Sequence, residues 1–207
     1  MKKLFLLLFV GFATIAYSQK MKLISGDFSA LKDQTEVNVK LIFDKNVTFQ
    51  AENFTEVQYL DYKKNDILNN PKKTKEDWTA WNEGWQNGKE INYIDKFLKG
   101  INHKSKNIVF KKDIQSKYTL IIKTVWVYAG WSGGFVMQPA KLTSELKLVE
   151  TNNPSNVLFN VDSPGIEGVG ISENPNSEYI MEYGRISVAY EKTGRLLWKQ
   201  IAKQIKQ

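Results

Sequence analysis

Hydrophobic and polar positions divide the chain into stretches of different period. Val37, Val39, Leu41 and Phe43 share one parity with Asn38, Lys40 and Ile42 in the other, the alternation of a half-buried strand. A shorter strand near Leu23–Asp27 precedes it across the polar connection ALKDQTE, so the pair is expected as a β-hairpin. The spacing then turns helical. Val57, Leu60, Ile67 and Leu68 follow Thr55, a candidate N-cap with Glu56 in the first turn, and Pro71 limits this helix to about Asn70. Thr74-Lys75-Glu76-Asp77 approximates a capping box. Trp78, Trp81 and Trp85 follow on one face, which is expected to extend through Ile91, Ile94, Phe97, Leu98 and Ile101 past a break near Asn87-Gly88. That stripe is expected to pack on a sheet, with Trp81 buried.

Past the polar loop GINHKSKN the period changes again. YTLIIKTVWVY (118–128) and KLTSELKLVE (141–150) are rich in β-branched, aromatic and alternating apolar residues, and they predict an antiparallel pair of strands. The glycine-bent segment AGWSGGFVMQPA joins them, and a further strand is expected at Val157–Val161 after the NNPSN turn. SEYIMEYGRISVAYEK returns to helical spacing, Gly194 reads as its C-terminal cap, and Leu197, Ile201 and Ile205 predict a separate amphipathic helix over 195–206. The order ββ-αα-βββ-αα gives an α+β fold: a mainly antiparallel sheet of about five strands, packed by an N-terminal helical pair and a C-terminal helical pair. No internal repeat points to a solenoid or propeller.

The first 18 residues follow a different rule. Lys2 and Lys3 precede an apolar run from Leu4 to about Ala16, and small residues lie at Ala16 and Ser18. This is the pattern of a secretory signal peptide, expected to be cleaved after Ser18, leaving 19–207 as a single domain in the periplasm or outside the cell. The run is short for a bilayer-spanning helix, which needs about 20 residues, so no stable membrane insertion is expected once the leader is removed; an uncleaved anchor is the alternative. The sequence contains no cysteine, which excludes disulfides, thiolate chemistry and a lipid-bearing thiol.

The full chain has 29 basic and 22 acidic residues. Without Lys2 and Lys3 the balance is 27 to 22, or +5, and the lysines are scattered, with no dense stripe or nucleic-acid-binding module. Nucleic acid is therefore not an expected partner. His103, the only histidine, sits in a lysine-flanked loop without triad or metal-site companions. Gly165, Gly168 and Gly170 lie in SPGIEGVGISENP, which lacks the lysine and the helix start of a phosphate loop. No Asp-rich calcium loop occurs, and no cofactor or metal is called for.

The Trp78 region, YTLIIKTVWVYAGW, PAKLTSELKLVE and RISVAYEKTGRLLWKQI together resemble a group of secreted Bacteroidetes-type proteins of unknown function. In strand order and in the glycine-bent hairpin the chain is more distantly similar to envelope lipoproteins related to the curli secretion component, although it lacks their lipid-bearing cysteine. Neither resemblance implies a catalytic residue.

Two functional classes fit. Six Trp, nine Tyr and eleven Phe exceed what one helix-sheet interface needs, and Tyr128, Trp131 and Phe135 gather around the loop glycines. Presented there, they suit the face of a sugar or the hot spot of a protein interface. The chain is accordingly expected to be a non-catalytic envelope or secreted binding or accessory protein whose partner is an envelope protein or glycan. The alternative is a carboxylate-dependent polysaccharide hydrolase drawing on Asp162, Glu167, Glu173, Glu178 and Glu182. Glu178, Glu182 and Arg185 are also expected simply as an exposed ion-paired helix face.

Overall fold

β2 (Glu36–Ile42) buries Val37 and Val39 on one side, and its neighbours in the sheet are remote in sequence. The computed structural model describes residues 21–133, 136–169 and 180–205. In chain order these form β1 (Lys22–Gly26), β2, β3 (Thr48–Phe49), α1 (Glu56–Leu68), α2 (Lys75–Asn87), a π-helical turn (Gly88–Asn92), α3 (Tyr93–Asn102) and β4 (Val109–Lys111). β5 (Tyr118–Tyr128), β6 (Trp131–Ser132), β7 (Met137–Gln138), β8 (Lys141–Glu150), β9 (Asn153–Glu167) and α4 (Glu182–Ile205) follow. The expected signal peptide lies outside the described residues.

The main sheet has the order β1-β9-β8-β5-β2-β4, with β3 pairing β5 beyond the end of β2. From β1 to β5 the pairs are antiparallel, whereas β2, β3 and β4 run parallel to their neighbours. The fold is thus α+β with a mixed, seven-stranded sheet rather than five strands. Parallel β2 and β5 need a long crossover, and α1, α2 and α3 lie within it.

The opening hairpin does not form. β1 pairs with β9 at the far edge, because the connection to β2 carries Phe28 and Leu31 into the core, where Phe28 meets Phe159 edge-on at 4.9 Å. β9 runs through the segment expected as a turn. Pro154 lies where β1 does not reach and β9 has only β8 beside it, a position that tolerates a missing N–H.

Thr55 and Thr74 both complete capping boxes, with Gln58 and Asp77. The C-terminal helical pair is instead one continuous helix. Gly194 lies in its middle, where α3 crosses: a Cβ there would strike the Phe97 carbonyl oxygen and come within 2.7 Å of the Ile101 nitrogen. Gly100 on α3 presents the same lack of side chain to the Glu191 backbone, so the two helices touch main chain to main chain. Close approach, not chain termination, is why that glycine is there.

The helices cover one face of the sheet, against Leu120, Ile122, Leu146, Leu148, Phe159 and Val161. On the other face Lys123 aligns with Glu145, Glu145 with Asp162, and Asp162 with Lys22, a charged row on a half-exposed surface. No helix in the described residues is long and apolar enough to cross a membrane.

Candidate binding surface

β5 changes which residues face the helices near its end. A bulge at Val125 leaves Thr124 pointing into the core, 2.5 Å from the Tyr190 hydroxyl, and sets Trp126 opposite Thr143 and Tyr128 opposite Lys141 on the uncovered face. Trp126 and Tyr128 lie nearly parallel, with ring centroids 6.4 Å apart. The Trp126 indole N–H donates to the Gln50 carbonyl oxygen at 2.8 Å, fixing the ring.

The chain then turns through Ala129, which is buried, and Gly130, whose φ of +66° and contact with the Gln138 and Pro139 backbone exclude a side chain. β6 and β7 form a small antiparallel ladder, Trp131 opposite Gln138 and Ser132 opposite Met137. The Tyr128 hydroxyl donates to Gln138 Oε1 at 2.6 Å. Tyr128 and Trp131 are thereby brought to the two sides of Gln138, while Phe135 lies outside the described residues. Trp131 is 42% exposed, Met137 43% and Val136 61%. Three large apolar side chains thus meet solvent within one short hairpin.

The base of this hairpin is held from below by Arg185, in the first turns of α4. Its guanidinium is 2% exposed and donates to the Ala129 carbonyl at 2.9 Å, the Gly130 carbonyl at 3.2 Å and the Ile180 carbonyl at 2.9 Å. Glu182 lies 4.0 Å from the same group. Its other oxygen accepts the Trp81 indole N–H at 2.9 Å, and Lys63 sits 2.9 Å from the first. The expectation of an exposed Glu182–Arg185 pair is therefore corrected: α2 covers the start of α4, with Gly84 making room for the Tyr183 ring. A second indole of the stripe, that of Trp85, donates to Glu56 at 2.9 Å, and Lys89 meets the same oxygen at 2.5 Å.

Burial pushes the Glu182 carboxyl up, but the Lys63 ammonium and the donors Trp81 and Lys63 outweigh it and hold the carboxyl below its ordinary 4.5. Burial alone would lower Lys63, and Glu182 and Asp66 reverse that and raise it. A carboxyl depressed in the folded state stabilises the fold above its unfolded pKa and loses that contribution as pH falls through the folded value. Glu182→Gln should therefore melt below wild type at about pH 6, and the gap should narrow as pH falls below the ordinary carboxyl value of 4.5. A gap of constant size across this range would show that the carboxylate charge is not what holds the cluster.

The remaining carboxylates are dispersed. Asp162 is exposed opposite Glu145, Glu167 pairs with Lys141 at 3.2 Å, and Glu173 and Glu178 lie outside the described residues. Among the described residues no group of three His, Asp or Glu side chains could hold a metal. His103 is exposed at the end of α3. Sequence reasoning pointed to Tyr128 and Trp131 but missed Trp126, whose place on the surface depends on the bulge, and Arg185, which was assigned to solvent.

No family model matches the chain, no curated protein matches it, and no solved structure matches its fold.

Proposed function

We propose that the chain is an exported, non-catalytic binding protein whose hairpin, with Tyr128 and Trp126 beside it, recognises an envelope protein or glycan. The observation that supports this most is the contrast among the tryptophans. Trp81 and Trp85 are buried and give their indole N–H groups to carboxylates, whereas Trp131 stands out on a two-strand hairpin beside Val136 and Met137. By the ladder register Trp131 and Val136 share one face and Met137 lies on the other, so both faces of the hairpin present exposed apolar side chains of the kind found at interaction sites. Its base is tied to the fold through Gly130 and Arg185, so little ordering entropy has to be lost when a partner engages it. Export follows from the leader pattern.

The test compares wild type with Trp131→Ala in two ways: thermal melting, and retention by solubilised envelope extract and by purified envelope polysaccharide. The variant should melt within a degree or so of wild type, because Trp131 is 42% exposed and lies outside the hydrophobic core, and should bind about tenfold more weakly, the effect of losing an aromatic hot spot. Lost stability with unchanged retention would make Trp131 a structural plug and overturn the proposal. The polysaccharide arm separates a glycan from a protein partner.

A further inference from the structure

A second opening lies at the other end of the strand order. β4 is three residues long and covers β2 only from Glu36 to Asn38, while β3 pairs with β5 at Trp126 and Val127, past the end of β2. Between them, the outer edge of β2 from Val39 to Ile42 has no strand beside it among the described residues. Its backbone direction follows from two bonds. The Val109 N–H donates to the Thr35 carbonyl at 2.8 Å, which turns the odd residues toward β4, and the Asn38 N–H turns the opposite way, to Ser116 Oγ at 2.9 Å. Continuing that alternation aims the Val39 carbonyl and both the N–H and carbonyl of Leu41 at the open side.

Two adjoining cavities, of about 420 and 230 Å³, follow this edge from Asn38 to Phe43 and share Leu41, Lys89 and Glu90. The far wall is the π-helical turn, a local widening that recurs at functional positions in helices. Leu41, Phe43 and Ile94 supply apolar surface. At the rim Lys89 is held by Glu56 at 2.5 Å and Lys112 by Asp95 at 2.6 Å, whereas no cation is paired with Glu90 or Asp113 among the described residues. Lys40 on the β2 wall is unpaired among the described residues as well, so two unmatched carboxylates stand against one unmatched cation and the rim carries a small acidic excess.

We propose that this edge takes up an extended peptide from a partner protein as an added strand, one that alternates apolar residues with polar ones and carries basic residues. Outward-facing main-chain donors and acceptors at strand spacing are matched by another main chain, the apolar wall takes its alternate side chains, and Glu90 and Asp113 attract its cations. The stretch is short and set among charges, which guards it against indiscriminate edge pairing.

The probe is the acetylated, amidated peptide Lys-Val-Thr-Val-Thr-Val-Lys, added at millimolar concentration to the isotope-labelled protein. Amide exchange at Leu41 should slow by about tenfold and its resonance should shift. The same peptide N-methylated at alternate amides should do neither, and a Glu-flanked version should bind more weakly. Leu41→Pro deletes an N–H that no sheet partner uses and should abolish the effect while the fold is kept. If that variant is unfolded, the double variant Glu90→Lys, Asp113→Lys should instead weaken binding of the lysine-flanked peptide. An unchanged Leu41 amide, or equal protection by the N-methylated peptide, would overturn the proposal. So would protection of Leu41 that arises without peptide and rises with protein concentration, since the occupant would then be a second copy of the chain.

Discussion

Trp81→Ala is expected to lower unfolding stability by about 3–5 kcal/mol, the range for truncating a large aromatic in a core. Trp81 is 3% exposed and lies between Trp78 and Trp85, with centroids 5.6 and 5.5 Å away and planes within 17° and 12°. Its removal deletes those contacts and the packing on Tyr59, and also takes the indole donor from a largely buried carboxylate. Domains of this size are stable by only about 5–15 kcal/mol, so the loss would be a large share of the total. Trp81→Phe separates the two contributions: it keeps most of the ring and should cost about 1.5–3 kcal/mol through the bond to Glu182 and the smaller ring. Denaturant unfolding of both variants measures the difference. A loss below about 1 kcal/mol for Trp81→Ala would place the stripe in solvent, contrary to the buried position assigned to it.

Arg185→Ala is expected to cost a similar amount, about 3–5 kcal/mol, for a different reason. Three carbonyl groups, of Ala129, Gly130 and Ile180, lose their donor, that of Ala129 in a buried place where water cannot readily replace it, and Glu182 loses a nearby cation. Arg185→Lys should rescue little, because an ammonium on a flexible stem cannot serve three carbonyls spread around a planar fork. The loss should have a local signature as well. Amide exchange in Tyr128–Gln138 should accelerate relative to β8 and β9, since the guanidinium ties the hairpin base to α4. Stability lost evenly over the whole sheet, with no preferential loosening of the hairpin, would mean that Arg185 supports α4 alone.

Local features of the fold were legible in the sequence and distant ones were not. Thr55 and Thr74 cap helices through residues three positions away, and β5 and β8 carry their β-branched and alternating residues within their own length, so each could be read from a short window. The pairing of β2 with β5 could not, because the strands are brought together by three intervening helices, and nothing in EVNVKLI distinguishes a parallel neighbour from an antiparallel one. Gly194 misled because a glycine that ends a helix and one that lets another helix approach look alike in sequence. Its role depends on Phe97 and Ile101, which are far from it in the chain. The same holds for the candidate surface. Trp81 and Trp131 are chemically identical, and the glycines around Trp131 hinted at its exposure, but Glu182 and Arg185 were assigned to solvent because α2, which covers them, is a hundred residues upstream.

The separation of a buried aromatic framework from an exposed recognition hairpin can be read most directly by hydroxyl-radical footprinting of the protein, free and saturated with envelope extract. In the free protein Trp131 and Met137 should oxidise readily while Trp81 and Trp85 react little, in line with their exposure. On binding, protection should fall on Trp131 and Met137, leaving the surface residues of α1 unchanged. Oxidation of Trp131 and Met137 that continues at the free rate while protection falls elsewhere would contradict the proposed recognition surface.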